Sequence, residues 1–200
     1  TCGSEFTISL TTTDGTMSYY ANAYYALGDA TLEKNRGCTL KLFKSFTEGS
    51  TTELYLMPPA EVKCAFTIDL NGFNFGSSKS LLSLQNIDLT IKTSTKTTTA
   101  QSPIFNPRLY IESGSSLTCP DTEGDGWLAI YDLRIRNSEN NISLGTGVYL
   151  LYFGTTTSFV AKYDDILADG CIARNTDTKK IYTRSTEIPG NPKIEVIKCT

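Results

Sequence analysis

The 200-residue chain contains no histidine. That absence excludes Ser-His and Cys-His nucleophile pairs and every His-ligated metal. Carboxylate, lysine, arginine, tyrosine and cysteine chemistry remain. Methionine and tryptophan are scarce, at two and one. No apolar run approaches the roughly 18 residues a membrane-spanning helix needs, so membrane insertion by a helix is not expected. No signal peptide is visible, and an opening at Thr1 and Cys2 reads as a mature or excised fragment. Charge of one sign is lacking as well. Eighteen Lys and Arg stand against 21 Asp and Glu, a net charge of −3. Such a balance provides no field for nucleic acid or an acidic membrane. Closely spaced cysteine pairs are missing too: Cys2, Cys38, Cys64, Cys119, Cys171 and Cys199 all stand far apart, which rules out zinc-ribbon and CxxC redox motifs.

What is present is β-forming. Thr, Ser, Asn, Gly and Tyr are abundant, and β-branched and aromatic side chains suit a pleated surface. The stretch Ala65 to Lys92 holds three short strand-like segments, FTIDLNGFNF, SLLSLQ and IDLTIK, each closed by Gly, Asn or Ser. PRLYIESGSSL, WLAIYDLRIRN and GVYLLYFG continue the pattern. Phe66, Ile68 and Leu70 alternate with polar residues, as do Leu89 and Ile91, Leu109 and Ile111, and Leu133 and Ile135. Recurrence of strands at about 20 residues fits a solenoid, whose neighbouring units bury one another's apolar faces. The sequence therefore predicts one all-β domain over 1–200. Residues 1–61 form an N-terminal cap with the first strands, 62–160 the rungs and 161–200 a C-terminal cap. A short helix is expected over 26–36, with Gly37 at its C-terminal end. Asp14-Gly15, Pro58-Pro59 and Asn71-Gly72 mark turns. The closing segments YDDILADGCIARNTDTKKIYT and KIEVIKC are expected to pair as an antiparallel hairpin. An even cysteine count admits disulfides, Cys2 with Cys199 if the chain ends meet; buried free thiols are the competing reading, and Cys38, Cys64 and Cys171 beside apolar strands suit it.

The run GCTLKLFKSF…AFTIDLNGFNF…LTIK…LYIESG…DDILADGCIARN resembles the right-handed β-helix domains of large surface proteins from gut Gram-positive bacteria. Those domains place a short helix before a G-x-T-V-x-L strand, then a DLNG corner, LTI rungs and a closing LLADGYAF segment. Gly37–Leu42, Asp69–Gly72, Leu89–Lys92 and Ile166–Ala173 stand in those places, in that order, and the likeness spans about residues 20–185. Cys171 departs from the pattern, standing where an aromatic is usual. The resemblance implies a right-handed parallel β-helix with capped ends. It also implies secretion, attachment at the cell surface or cell wall, and a place as a monomeric module in a longer multidomain protein, often adhesin-like. The same fold carries polysaccharide lyases and glycoside hydrolases, so fold alone does not settle function.

Three signals bear on chemistry. Pectin-cleaving β-helix enzymes resemble a set of NTD, DD, GHG and RIK segments. Here Asp164-Asp165 precedes Asn175-Thr176-Asp177, the order is reversed and GHG is missing. Glycosidases need two carboxyls about 5–10 Å apart, whereas neighbours on a strand point to opposite faces; solvated turn acids explain these residues better. A lyase would draw on Lys or Arg, and Arg134 and Arg136 share an outward strand face. Next, Asp121, Glu123, Asp125 and Asp132 have EF-hand loop spacing with Gly126 at the sixth position. Glu is long for the third position and no helical pattern flanks the loop, so an acidic turn is the plainer reading; a calcium ion, the one cofactor suggested, would take Asp121, Glu123 and Asp125. Finally, 11 Tyr and nine Phe exceed what strand interiors need. Tyr19, Tyr20, Tyr24 and Tyr25 cluster, which packing of the helix onto the first rung would explain. Tyr149, Tyr152, Trp127, Arg134 and Arg136 are the candidate ligand-binding residues, with loops 93–102 and 121–126 beside them. Asn141-Ile142-Ser143 is a glycosylation sequon that matters only in a eukaryotic secretory route.

These features predict a non-catalytic extracellular module that recognises a host or environmental macromolecule. A protein such as an immunoglobulin or mucin stands slightly ahead of a glycan. A carbohydrate-active enzyme and a structural spacer are the alternatives.

Overall fold

The computed structural model describes residues 5–48, 53–59, 62–99, 102–112, 114–124, 126–135, 142–145, 147–155, 172–175, 181–183 and 194–197, with backbone only for 135, 149, 151–155 and the segments after 171. Among the described residues the fold is mostly β with one α-helix, and its parallel strands stack as a β-solenoid.

The chain begins with an antiparallel hairpin, β1 (Ile8–Thr11) and β2 (Met17–Tyr20). Its turn is the expected Asp14-Gly15: Asp14 accepts from the Thr12 hydroxyl at 2.5 Å and the Thr16 amide at 2.9 Å, and Gly15 takes φ +88°. The hairpin was not legible as such, because every residue of β2 lies at or near the surface and supplies no burial period.

Helix α1 (Ala23–Ala30) follows. The Asn22 side chain caps it by accepting from the Tyr24 amide, and Ala23, Ala26, Leu27 and Ala30 form its buried stripe. It ends earlier than the expected 36. The Thr31 amide and hydroxyl both bond Gly28 C=O, and a separate 3₁₀ turn covers Glu33–Asn35. Gly37 (φ +76°) closes that turn rather than the helix.

Ten strands then alternate between two sheets. Sheet A takes β3 (Thr39–Leu42), β5 (Cys64–Asp69), β7 (Ile87–Lys92), β9 (Ser116–Cys119) and β11 (Ile142–Leu144), all parallel. Sheet B takes β4 (Glu53–Leu56), β6 (Leu81–Leu84), β8 (Ile104–Ile111), β10 (Leu128–Ile135) and β12 (Val148–Thr155), again all parallel. The hairpin continues sheet A past β3 in the antiparallel sense, which makes seven strands there against five in sheet B. Stacking thus starts at Thr39, among the first strands of 1–61. The final segments form a three-stranded antiparallel sheet of β13 (Ile172–Asn175), β14 (Ile181–Thr183) and β15 (Ile194–Ile197), one strand more than the expected hairpin.

Registers explain the interior. Because the side-chain period of a strand is two, aligned registers place like residues in columns. Phe66, Leu89, Leu117 and Ile142 form one column of sheet A, and Leu82, Leu109 and Leu133 form one of sheet B; all seven are buried. A third column lies near the start of the sheet B strands β8, β10 and β12 and is continued beyond them by Phe75 and Phe46. Phe46, Phe75 and Phe105 join by single parallel bridges, and Ile130 and Leu150 extend the line. Phe75 and Phe105 stack with centroids 5.1 Å apart. The corner Asn71-Gly72 adopts positive φ at both residues, as its composition predicts. Asp69 holds it by accepting from the Asn71 and Ser94 amides at 2.9 and 2.8 Å.

Cys38, Cys64 and Cys119 are buried free thiols. Burial pushes Cys38 and Cys119 up to about 12 and raises Cys64, so these are packing residues, not nucleophiles. Cys2, Cys171 and Cys199 lie outside the described residues. Among the described residues no helix is long and apolar enough to cross a membrane.

Candidate functional site

The two sheets turn different surfaces outward. On sheet A the central outward position is a hydroxyl on strand after strand. Thr11 pairs with Thr39, Thr39 with Thr67, Thr67 with Thr90, Thr90 with Thr118 and Thr118 with Ser143. Strands lie about 4.8 Å apart, so this column is about 24 Å long. All six residues are half-buried or exposed, and among the described residues none of their hydroxyls enters a side-chain hydrogen bond. Lys41, Asp69 and Lys92 make the flanking column on the Ser9 side. Asp88 sits on the other flank, held by Lys63 at 3.1 Å and the Ser116 hydroxyl at 2.6 Å.

At the β2 end this face carries exposed aromatics. Tyr19 is the register partner of Ser9, and residues paired across strands share a face. Its ring packs on Phe6 (centroids 5.6 Å) and Phe43 (6.1 Å), and the three are 50%, 36% and 43% exposed. The four tyrosines of the cluster divide. Tyr24 packs its ring on Phe46 and Phe75, and Tyr20 donates to Asp29 at 2.6 Å, with burial first and that carboxylate second pushing its phenol up to about 12. Tyr19 and Tyr25 are left at the surface.

Sheet B turns outward a set of interlocked charges. Asp132 is 2% exposed and lies between two guanidinium groups. Arg108 Nε donates to it at 2.7 Å, and Arg134 donates through Nε and, at 3.1 Å, through a terminal nitrogen. A hydrogen bond with Tyr110, then the Asp132 carboxylate, raise the pKa of Arg108 against the opposing pull of burial. Arg134 shares this outward face with Arg108 and Asp132 and is bound into the cluster. Tyr152 is in register with Asp132, and Tyr149 is in register with the buried Ala129. Arg136 lies outside the described residues.

The two loops beside the candidates come together. Trp127, half-buried, donates its amide to Thr97 C=O at 3.1 Å. Lys96 lies over the 121–126 turn: a β-carbon on Gly124 would sit 3.1 Å from its Nζ. The turn closes on itself through Thr122 Oγ1 to Gly126 C=O at 2.8 Å and Gly126 N–H to Glu123 C=O at 2.9 Å. Asp121 and Glu123 are exposed at its surface, and Asp125 lies outside the described residues. Among the described residues, which do not include Asp125, no group of three acidic or sulfur side chains converges on a metal position. Asp164, Asp165 and Asp177 also lie outside the described residues; Asn175 ends β13.

The hydroxyl column is the feature that residue-by-residue reading missed. Its signal was an apolar-Thr-apolar triplet recurring at Cys38-Thr39-Leu40, Phe66-Thr67-Ile68, Leu89-Thr90-Ile91 and Leu117-Thr118-Cys119. Comparison with protein-family models, curated proteins and solved structures found no match to this chain.

Proposed function

We propose that this chain is a non-catalytic binding module of an extracellular, cell-surface bacterial protein, and that it recognises a host or environmental macromolecule through the outer face of sheet A. One observation carries the reading: six hydroxyls unengaged by other side chains among the described residues, aligned across a continuous sheet and flanked at its β2 end by an exposed aromatic trio. A surface that only had to be wetted would not need Phe6, Tyr19 and Phe43 grouped at its edge. Aromatic anchors beside adaptable hydroxyls are the composition of protein-recognising surfaces. A protein ligand is favoured over a glycan because Tyr19 packs on both Phe6 and Phe43, so the three form one exposed apolar cluster of the kind that anchors protein interfaces. On this reading the solenoid is right-handed, α1 and the hairpin close one end, and the β13–β15 sheet closes the other. The module belongs to a longer adhesin-like protein, as the family resemblance implies.

The test is capture of a defined panel, namely immunoglobulins, mucins and a glycan array, by the wild type and by Tyr19→Ala and Thr67→Arg/Thr90→Arg variants. A partner held by the wild type and lost by both variants supports the reading. Capture unchanged by either variant moves the site elsewhere, and an empty panel favours a spacer.

A further inference from the structure

Sheet A ends at β2, which has β1 as its one ladder partner among the described strands. Residues 5–48 are described without a break, so both flanks of this edge are defined. In an antiparallel ladder alternate residues exchange hydrogen bonds with one neighbour, and those between turn theirs the other way. Thr12 N–H donates to Thr16 C=O at 2.9 Å and Thr7 N–H donates to Tyr20 C=O at 2.8 Å, so Thr16, Ser18 and Tyr20 face β1. Met17 and Tyr19 therefore turn their main-chain N–H and C=O to the outer edge. Among the described residues nothing bonds those groups there. Natural edges are usually blunted by charge or proline, and the Met-Ser-Tyr-Tyr of β2 has neither. Met17, the register partner of Thr11, shares the outer face with Tyr19 and is 47% exposed.

We infer that two copies of this chain pair edge to edge through β2, antiparallel, with Met17 of each copy opposite Tyr19 of the other. An edge without charge has nothing with which to select a foreign strand, whereas its own pattern matches itself. In this register all the outward groups of Met17 and Tyr19 pair within the strand. A shift by two residues in either direction sets one of them against Gly15 or Ala21, beyond it. Each methionine sulfur then meets a tyrosine ring, a favourable contact, and no like charges are opposed. Phe6, Met17, Tyr19 and Phe43 expose about 350 Å² in each copy, at roughly 200 Å² for a whole side chain. A pair covers about 700 Å² of that surface, against about 1,200–2,000 Å² in stable complexes. The dimer is therefore weak and forms where copies are concentrated. It goes beyond the binding reading above and does not depend on it.

The test is sedimentation velocity of the whole chain alone, from micromolar to millimolar concentration. The wild type should pass from monomer to dimer. Met17→Pro should weaken the dimer at least about tenfold with the far-UV spectrum unchanged: each copy loses an outward donor, and an edge strand tolerates proline there. Met17→Lys and Tyr19→Glu should each weaken it as well. An equimolar mixture of those two variants should form a mixed dimer tighter than either variant forms alone, because an ammonium then meets a carboxylate across the edge. A wild type that stays monomeric at millimolar concentration overturns the inference. So does a dimer that Met17→Pro leaves intact, or a mixture no tighter than its components. A monomer that instead takes up extended peptides, and loses them in Met17→Pro, assigns the edge to another protein and overturns it too. The charge variants decide the matter if Met17→Pro does not fold. No ligand is present in this assay, so its failure leaves the capture experiment to stand or fall separately.

Discussion

Sheets A and B are built from alternate strands of the same chain and share one apolar interior, yet their outer faces differ in kind. The central column of sheet A shows water a line of hydroxyls that, among the described residues, bond to no other side chain, although on its flank Ser9 and Asp69 are 1% and 3% exposed. Sheet B folds its outward polar groups into one another, so that Asp132 and Ser83 are 2% and 0% exposed although their strand positions face away from the apolar columns. Alternation decides which side chains leave the interior; it does not decide whether they reach solvent. A cluster whose polar groups are already satisfied has little left to offer a partner, whereas a column of hydroxyls that the described side chains leave unengaged has hydrogen-bonding capacity to offer. That contrast is why the binding face is proposed on sheet A.

The interior that both sheets share should be the most sensitive part. Phe75 is fully buried, stacks on Phe105 and touches the rings of Phe46 and Tyr24. Phe75→Ala should cost about 3–5 kcal/mol in denaturant unfolding. Tyr19→Ala, at the surface, should stay within about 0.5 kcal/mol. Similar losses from the two would mean that the aromatic trio is structural, and the comparison would break at its first step.

Sheet B comes next. Asp132→Ala leaves Arg134, mostly buried, and Arg108, part-exposed, sharing a face without their carboxylate. Breaking a buried pair costs about 3–5 kcal/mol; with Arg108 partly screened by water the expected loss is nearer about 2–3 kcal/mol, read from the shift in denaturation midpoint. A loss below about 0.5 kcal/mol would show that these charges are as free as the hydroxyls of sheet A.

The thiols of the interior give a pH signature. Cys38 and Cys119 have their pKa raised from 9.0 to about 12 by burial. A raised folded-state value favours the neutral thiol, so its contribution is complete below about pH 9 and is lost as pH rises toward 12. Stability should therefore fall across that alkaline window. Cys38→Ala/Cys119→Ala should flatten the fall while lowering stability at neutral pH. Neither thiol should react with a maleimide at pH 8 in the native protein, and rapid labelling would contradict their burial.

Much of this architecture could be read from residues alone. FTIDL, LTIK and RLYI declare their inward residues by period, and Asn71-Gly72 declares its corner because few other pairs tolerate two positive φ values in succession. The phenylalanine column was hidden, because Phe46 and Phe75 join it by single bridges outside any strand and so have no period of their own. The Asp132 cluster was hidden for another reason: Arg108 lies 24 residues away, and only the stacking of β8 on β10 brings them together. Helix α1 was seen but set too late in the chain, since Leu27, Ala30 and Thr31 suit both its last turn and the start of a longer helix. The hydroxyl column had a visible triplet, yet Thr is so common on strands that one occurrence carries no information; only register turns six ordinary positions into one line.

The smallest expected change in stability is also the sharpest test of that line. In Thr39→Val/Thr67→Val/Thr90→Val three hydroxyls are exchanged for methyl groups of nearly the same shape, on strands that Val favours as strongly as Thr. If the hydroxyls serve only water, stability should move by no more than about 0.5 kcal/mol per site, in either direction. If they serve a partner, capture should fall although the fold persists, since each paired group on the partner would be left without its hydrogen bond. A loss well above about 1 kcal/mol per site would instead mean that the hydroxyls are bonded within the protein. Sheet A would then be satisfied in the same way as sheet B, and the difference between the two faces would disappear.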